Sequence, residues 1–216
     1  MTLFEDRKHA GKILADTMAE IRLPLKNPFV LSIPRGGVPI GSEIARILHA
    51  PLDVLVLRKL PLPQNDQMGF GAVTLDRTVI LNHDVVRRFF ITDGVIDAVT
   101  DEVYDEVLRR NEIYRGGRDF PPVKDRSVVI TDDGLATGYT MLAAVESVKA
   151  RQPWEVIVSV PVASQNAYKI IGEAADRVVC LHVATGLSFA VASFYEEFPD
   201  LRDSEVKEIL NRSQVL

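Results

Sequence analysis

Five short apolar runs, at 29–33, 52–57, 127–132, 155–160 and 177–182, alternate with stretches of helical periodicity. They are rich in Val, Ile and Leu with little polar alternation, the pattern of strands buried on both faces. Strands separated by helices require right-handed crossovers, and hence a parallel sheet with helices on both faces. The expected fold class is therefore α/β, with an open, mainly parallel five-stranded sheet. If the first run lies beside the third, the strand order is 2-1-3-4-5 and the topological switch falls between them. Ligands bind outside the carboxyl ends of the strands at that point. A leading helix over 5–22 places Ala10, Ile13, Leu14, Thr17, Met18 and Ile21 on one face, and Pro24 and Pro28 end it. Asn82 caps a short helix running to Phe90, and Thr92 caps a longer one. In the longer helix Ile96, Val99, Val103, Val107, Arg110 and Tyr114 form one stripe, read as core or interface, and Gly116-Gly117 closes it. Asp203 or Ser204 caps a last helix through about Leu210.

The first and third runs each end in a glycine corner that opens a helix. After the third comes Asp132-Asp133-Gly134-Leu135-Ala136-Thr137-Gly138-Tyr139-Thr140. The first amides of a helix lack internal partners and its dipole favours an anion there. Thr137 and Thr140 add hydroxyl donors, while Gly134 and Gly138 let the backbone close around a phosphate. Asp132 and Asp133 repel that phosphate, so they suit ribose hydroxyls or a magnesium ion beside it. After the first run, Arg35 can fork two phosphate oxygens, and Gly36 and Gly37 can turn amides toward a ligand. The second run delivers Arg58-Lys59 to the same crevice.

The stretch 128–140 resembles the PRPP (phosphoribosyl diphosphate) motif of the type I phosphoribosyltransferases: two hydrophobic residues, an acidic pair, and Thr-Gly-x-Thr. It is not a Walker loop, because no Gly-Lys-Ser/Thr closes it. The resemblance implies a five-stranded fold with a small hood, and a loop after the first strand that holds pyrophosphate and often contains a cis peptide. It implies a mobile flap near 60–81, where Leu60-Pro61-Leu62-Pro63 begins an aperiodic stretch to 77; the segments 72–75 and 78–81 either pair as a small hairpin around Asp76-Arg77 or cover the sheet edge. The segment from about 183 to 216 would complete the hood, and residues 1–216 would form a single domain.

The activity implied is magnesium-dependent glycosyl transfer: the ribose 5-phosphate group of PRPP moves to a nitrogen nucleophile, a nucleobase in the leading reading, with release of pyrophosphate. Nucleotide salvage is the corresponding role. Arg35, Arg58 and Lys59 would stabilise pyrophosphate, and Asp132 and Asp133 would hold the ribose and reach magnesium indirectly, through ribose hydroxyls or water. The amides of Ala136, Thr137 and Gly138 would fix the 5-phosphate. Ala136 stands where the 6-oxopurine enzymes carry an aspartate, so the loop is closer to the adenine type. Leu187 or Phe189 is expected to cover the acceptor; alternatively, Phe189 packs with Phe194, Tyr195 and Phe198 as core. The alternative function is a non-catalytic PRPP-binding regulatory protein of the same fold. A receiver-like phosphotransfer domain is disfavoured, since its acids would be spread over several strand ends.

A net charge of −5 argues against a nucleic-acid partner, and no apolar run approaches a membrane span. The single cysteine, Cys180, leaves no disulfide framework, and the histidines at 9, 49, 83 and 182 share no ligand spacing. The mixed charges of residues 1–12 do not read as a signal peptide, so the cytoplasm is expected. A homodimer is left open.

Overall fold

The computed structural model describes residues 2–63, 65–186 and 189–213. In chain order its elements are α1 (Arg7–Glu20), β1 (Phe29–Ser32), α2 (Gly37–Leu48), β2 (Leu52–Val54), β3 (Leu57–Leu62), β4 (Asn65–Thr74), β5 (Val79–Leu81), α3 (His83–Arg88), α4 (Asp93–Arg115), β6 (Ser127–Thr131), α5 (Tyr139–Lys149), β7 (Glu155–Ser164), α6 (Gln165–Ala174), β8 (Arg177–Ala184) and α7 (Asp203–Ser213). A 3-10 turn covers Val191–Phe194.

The core sheet runs β2-β1-β6-β7-β8, all parallel, which is the order expected for the five apolar runs. Alternate residues of each strand feed opposite faces. Val30, Val129 and Ile157 pack with Leu14 and Met18 of α1 and Ile40 and Ile44 of α2. Leu31, Ile130 and Val158 pack with Met141 and Val145 of α5 and Ile171 of α6. Full burial of each such side chain is worth about 1.5–3 kcal/mol. Gly11 lets α1 lie against α2, because a Cβ there would sit 2.9 Å from the Ile40 Cα. The long helix α4 ends at Gly116 and Gly117, both in the left-handed region, as its sequence requires.

Two expectations need correction. The second apolar run is not one strand: pairing with β1 ends at Val54, and the chain leaves the sheet to start β3. Arg58 and Lys59 therefore sit in a separate antiparallel sheet, β3-β4-β5, which forms a hood. The aperiodic stretch from 60 is mostly a hairpin of that sheet. Leu60, Leu62, Phe70, Ala72 and Val73 are buried, which is reason enough for it to fold. Pro61 is tolerated because the pairing register slips on either side of it. The second hairpin turns at Asp76-Arg77 as expected, pairing Ala72 with Ile80 and Val73 with Val79.

At the carboxyl terminus Asp203 is the first helical residue of α7 and not its cap, and the helix continues to Ser213. Residues near the two ends interlock, with Leu3 N donating to Phe194 O (2.9 Å) and Glu196 N to Phe4 O (2.9 Å). No helix among the described residues is long and apolar enough to cross a membrane.

Candidate functional site

Because Ser32 pairs with Thr131, the loops leaving β1 and β6 emerge side by side. They touch through glycine. A Cβ on Gly36 would lie 2.0 Å from Asp133 Oδ2, and one on Gly37 would lie 2.6 Å from the Thr131 carbonyl oxygen. Any larger residue at either position would push the two loops apart. The peptide between Pro34 and Arg35 in this loop is cis.

The acidic pair is fixed from below by residues far away in sequence. Arg7 Nε donates to Asp133 Oδ2 at 2.9 Å, and its Nη1 donates to Pro199 O at 2.7 Å. The guanidinium lies 3.6 Å from the centroid of the Phe198 ring, and the Arg7 side chain is only 9% exposed. Tyr195 donates its hydroxyl to the Asp133 carbonyl at 2.7 Å. Loss of water raises the carboxyl of Asp133, and Arg7 opposes that shift. Asp132 accepts from the Asp133 amide at 2.8 Å. Its carboxyl is held well above the usual range, first by burial and then by the charge of Asp133.

Leu135 N donates to Val162 O (2.9 Å), and Ser164 N donates back to Leu135 O (2.9 Å). This bridge delivers Ala136, Thr137 and Gly138 to the start of α5. Gly138 is at φ +84°, a conformation that side chains resist, with the Ala167 backbone 3.3 Å from where a Cβ would be. No side chain caps α5, which leaves its first amides to solvent or a ligand. Gly134, Ala136, Thr137, Gly138 and Thr140 line a cavity of about 370 Å³ together with Asp132. The hood supplies its other wall, with Lys59, Gly69 and Gly71 from the antiparallel sheet, and Asn82, which caps α3, and Val85 of α3 complete it. A depression of about 480 Å³ lies near His49, Pro51 and Leu52, at the amino end of β2, away from the ligand side of the sheet.

The structure thus brings Lys59, Asp132, Gly134, Ala136, Thr137, Gly138 and Thr140 to one cavity, with Asp133, Gly36 and Gly37 packed against Asp132. Arg35 and Arg58 lie to one side, toward α4 and α7. Phe189 is half-buried, with its ring 5.4 Å from that of Phe194, and does not line the cavity. That is the placement of the alternative reading; Leu187 lies outside the described residues. Arg7 and Tyr195 escape a reading of the sequence, because their partners are separated from them by 126 and 62 residues.

Among the described residues no group of three or more His, Cys, Asp or Glu could enclose a metal ion. A pair of carboxylates, one of them partly engaged by Arg7, fits magnesium. That ion usually takes one or two protein carboxylates and completes its shell with water and phosphate oxygens.

Residues 4–193 match the phosphoribosyl transferase domain family. A Mycobacterium tuberculosis relative that carries a provisional phosphoribosyl transferase name is 42% identical over 213 residues, 99% of this chain and 47% of that protein. The chain thus spans about half the length of the curated relatives it matches. A crystal structure from Thermus thermophilus is 36% identical with a TM-score of 0.80, covering 98% of this chain and 99% of that one. A structure from Aquifex aeolicus shares the fold at 15% identity, with a TM-score of 0.51 over 82% of this chain and 74% of that one.

Proposed function

This chain belongs to the phosphoribosyl transferase family, and we propose that it transfers the ribose 5-phosphate group of PRPP to a nitrogen nucleophile, a nucleobase in the leading reading, with release of pyrophosphate. The observation that carries the proposal is the shared cavity, in which an uncapped helix start and the Asp132 carboxylate stand on one wall. Those are the two complements that a sugar phosphate with free hydroxyls needs.

In this reading the amides of Ala136, Thr137 and Gly138 and the hydroxyls of Thr137 and Thr140 hold the 5-phosphate, which positions the reacting carbon. Asp132 and Asp133 accept hydrogen bonds from the ribose hydroxyls. Their charge also favours the positive ribose ring that develops as the bond to pyrophosphate breaks. Arg35, Arg58 and Lys59 receive the departing charge, and Gly36 and Gly37 keep the backbone close to it. Asp132 and Asp133 would reach magnesium through ribose hydroxyls or water, and the bound ion would neutralise phosphate charge. With Ala136 in place of a carboxylate, the loop offers no side chain to exchange a proton with a purine ring. Phe189 remains a proposed cover for the acceptor only if it leaves Phe194.

PRPP with magnesium should raise the melting temperature. At a hundredfold excess over Kd the gain is about 2.7 kcal/mol, or roughly 5–10 °C for a chain of this size. Asp132→Asn should remove the shift while leaving a folded protein. A variant that retains the full shift would take the ribose away from this loop.

A further inference from the structure

Strand β5 and helix α5 lie side by side, and their contacts fix the direction in which they run. Beyond the carboxyl end of α5, Arg151 Nη1 donates to Asp76 Oδ2 at 2.6 Å, and Ser147 Oγ in the last turn donates to Asp76 Oδ1 at 3.1 Å. The turn before β5 is thereby tied to the end of the helix. Further back, Ile80 packs into the core that holds Met141, Ala144 and Val145. The chain therefore runs back along α5 and delivers Asn82 to the uncapped start of that helix. There Asn82 lines the same cavity as Gly138, Tyr139 and Thr140.

Asn82 is half-buried, and most of its polar groups are already used. Its backbone amide donates to Phe70 O of the hood strand β4 at 2.7 Å, and its carbonyl accepts from Val86 N at 2.9 Å. Its side-chain Oδ1 accepts from Asp84 N and Val85 N, both at 3.2 Å, which caps α3. Those two amides can only donate, so they fix which branch of the side chain is oxygen. The other branch is the Nδ2 amino group, and no described residue accepts from it. Capping does not explain that group. A cap needs an oxygen, and Asn, Asp and Ser supply it about equally well. What asparagine adds is a pair of neutral N–H donors on the wall of a cavity whose opposite side is built for an anion.

We propose that Asn82 is a phosphate-binding residue, its Nδ2 donating to the phosphate group that the start of α5 holds from the opposite wall. This deepens the reading above and rests on it for the presence of that phosphate. It adds a donor from outside the acidic pair and the Thr-Gly-x-Thr loop, far from them in sequence. Because the Asn82 backbone is bonded to β4, a phosphate held this way joins α5 to the hood through one residue. An amide suits the position: it donates to a charged oxygen, where an aspartate cap would repel it.

Calorimetric titration with ribose 5-phosphate tests this on two variants that keep the cap. Asn82→Ser removes the amino group, and Asn82→Asp replaces it with a negative oxygen, so both should melt close to wild type. Asn82→Ser should weaken ribose 5-phosphate by about tenfold, the loss of one bond to a charged group, and Asn82→Asp by more, because repulsion is added. Unchanged affinity in both variants would overturn the proposal and leave the transferase reading in place. A loss in Asn82→Asp alone would also overturn it, since that marks a charge felt across the cavity and not a missing donor. A loss that appears only in a variant with a lowered melting temperature would make Asn82 a cap and nothing more. A wild type that binds neither ribose 5-phosphate nor PRPP would overturn both readings. The predicted losses in a protein that releases no pyrophosphate from PRPP with any nucleobase would support Asn82 and sink the transferase reading instead.

Discussion

Asp132 is kept at the site at a cost to the folded state. Its carboxyl is pushed up by burial and by Asp133, and Arg7 lies on the other carboxylate. A carboxyl whose folded pKa lies above its unfolded value favours folding fully only below the unfolded value. That contribution is lost as pH rises through the folded one. Near neutral pH Asp132 therefore contributes less to folding than it does in acid, until a ligand uses it. Asp132→Asn keeps an oxygen to accept from the Asp133 amide and removes the charge. The ligand-free variant should melt a few degrees above wild type near pH 7, and the gain should vanish as the pH falls toward the ordinary carboxylate range. Thermal melts across pH would show this, and a variant that is less stable at every pH would mean that Arg7 already compensates both charges. Such a residue breaks local rules in the way the proposed ribose site would require. Its motif is legible because the acidic pair and the Thr-Gly-x-Thr spacing are contiguous. Arg7 is not, because ion pairing across 126 residues leaves no periodic mark.

At the scale of the element, the hood hairpin misleads a sequence reader for a definite reason. Gly69, Gly71, Pro61 and Pro63 are turn formers, and strand periodicity is broken where the register slips. The structure uses the glycines for close approach. A Cβ on Gly71 would meet the Ile80 carbonyl oxygen at 2.5 Å, and one on Gly69 would meet the Lys59 side chain at 2.4 Å. At Gly69 the nearest obstacles are Lys59 Cγ and Cδ, which a side-chain rotation can shift, whereas at Gly71 the nearest obstacle is backbone of the neighbouring strand. Gly71→Ala should therefore cost about 1–3 kcal/mol by overpacking, and Gly69→Ala much less, measured as shifts in denaturation midpoint. Equal costs would mean that β5 yields as easily as a lysine side chain does. The core strands behave in the opposite way. Their Val- and Ile-rich runs carry one message, and the order of the sheet follows from it. The exception is the second run, where nothing in the apolar string Leu52–Leu57 marks the point at which the chain leaves the sheet after Val54. The α4 stripe reads as core or interface in the sequence. Val107 and the Tyr114 ring are core, with Ile96, Val99 and Val103 packed against them, and only Arg110 and the Tyr114 hydroxyl turn toward the charged groups near Arg35.

For the whole molecule, the question is whether the hood is a lid hinged on a rigid sheet or part of one cooperative body. The packing favours the second. Leu60, Phe70 and Val73 of the hood share a core with Val30, Val129 and Ile157 of the main sheet, and Leu57 and Ala72 join the core on its other face. The hood strands therefore cannot leave without exposing side chains that also cover the central strands, at about 25 cal/mol for each Å² of apolar surface uncovered. The ends add a second tie. Residues 3–5 and 194–197 are hydrogen-bonded to each other, and Arg7 and Tyr195 then anchor both to the acidic loop. Opening the site at one end thus disturbs contacts at the other. In native-state hydrogen exchange the amides of β4 from Phe70 to Thr74 should open with nearly the same free energy as those of β6, through global unfolding. If β4 instead exchanges at far lower free energy while β6 remains protected, and PRPP closes that gap, the hood is a separately folding lid and the shared core does not hold it.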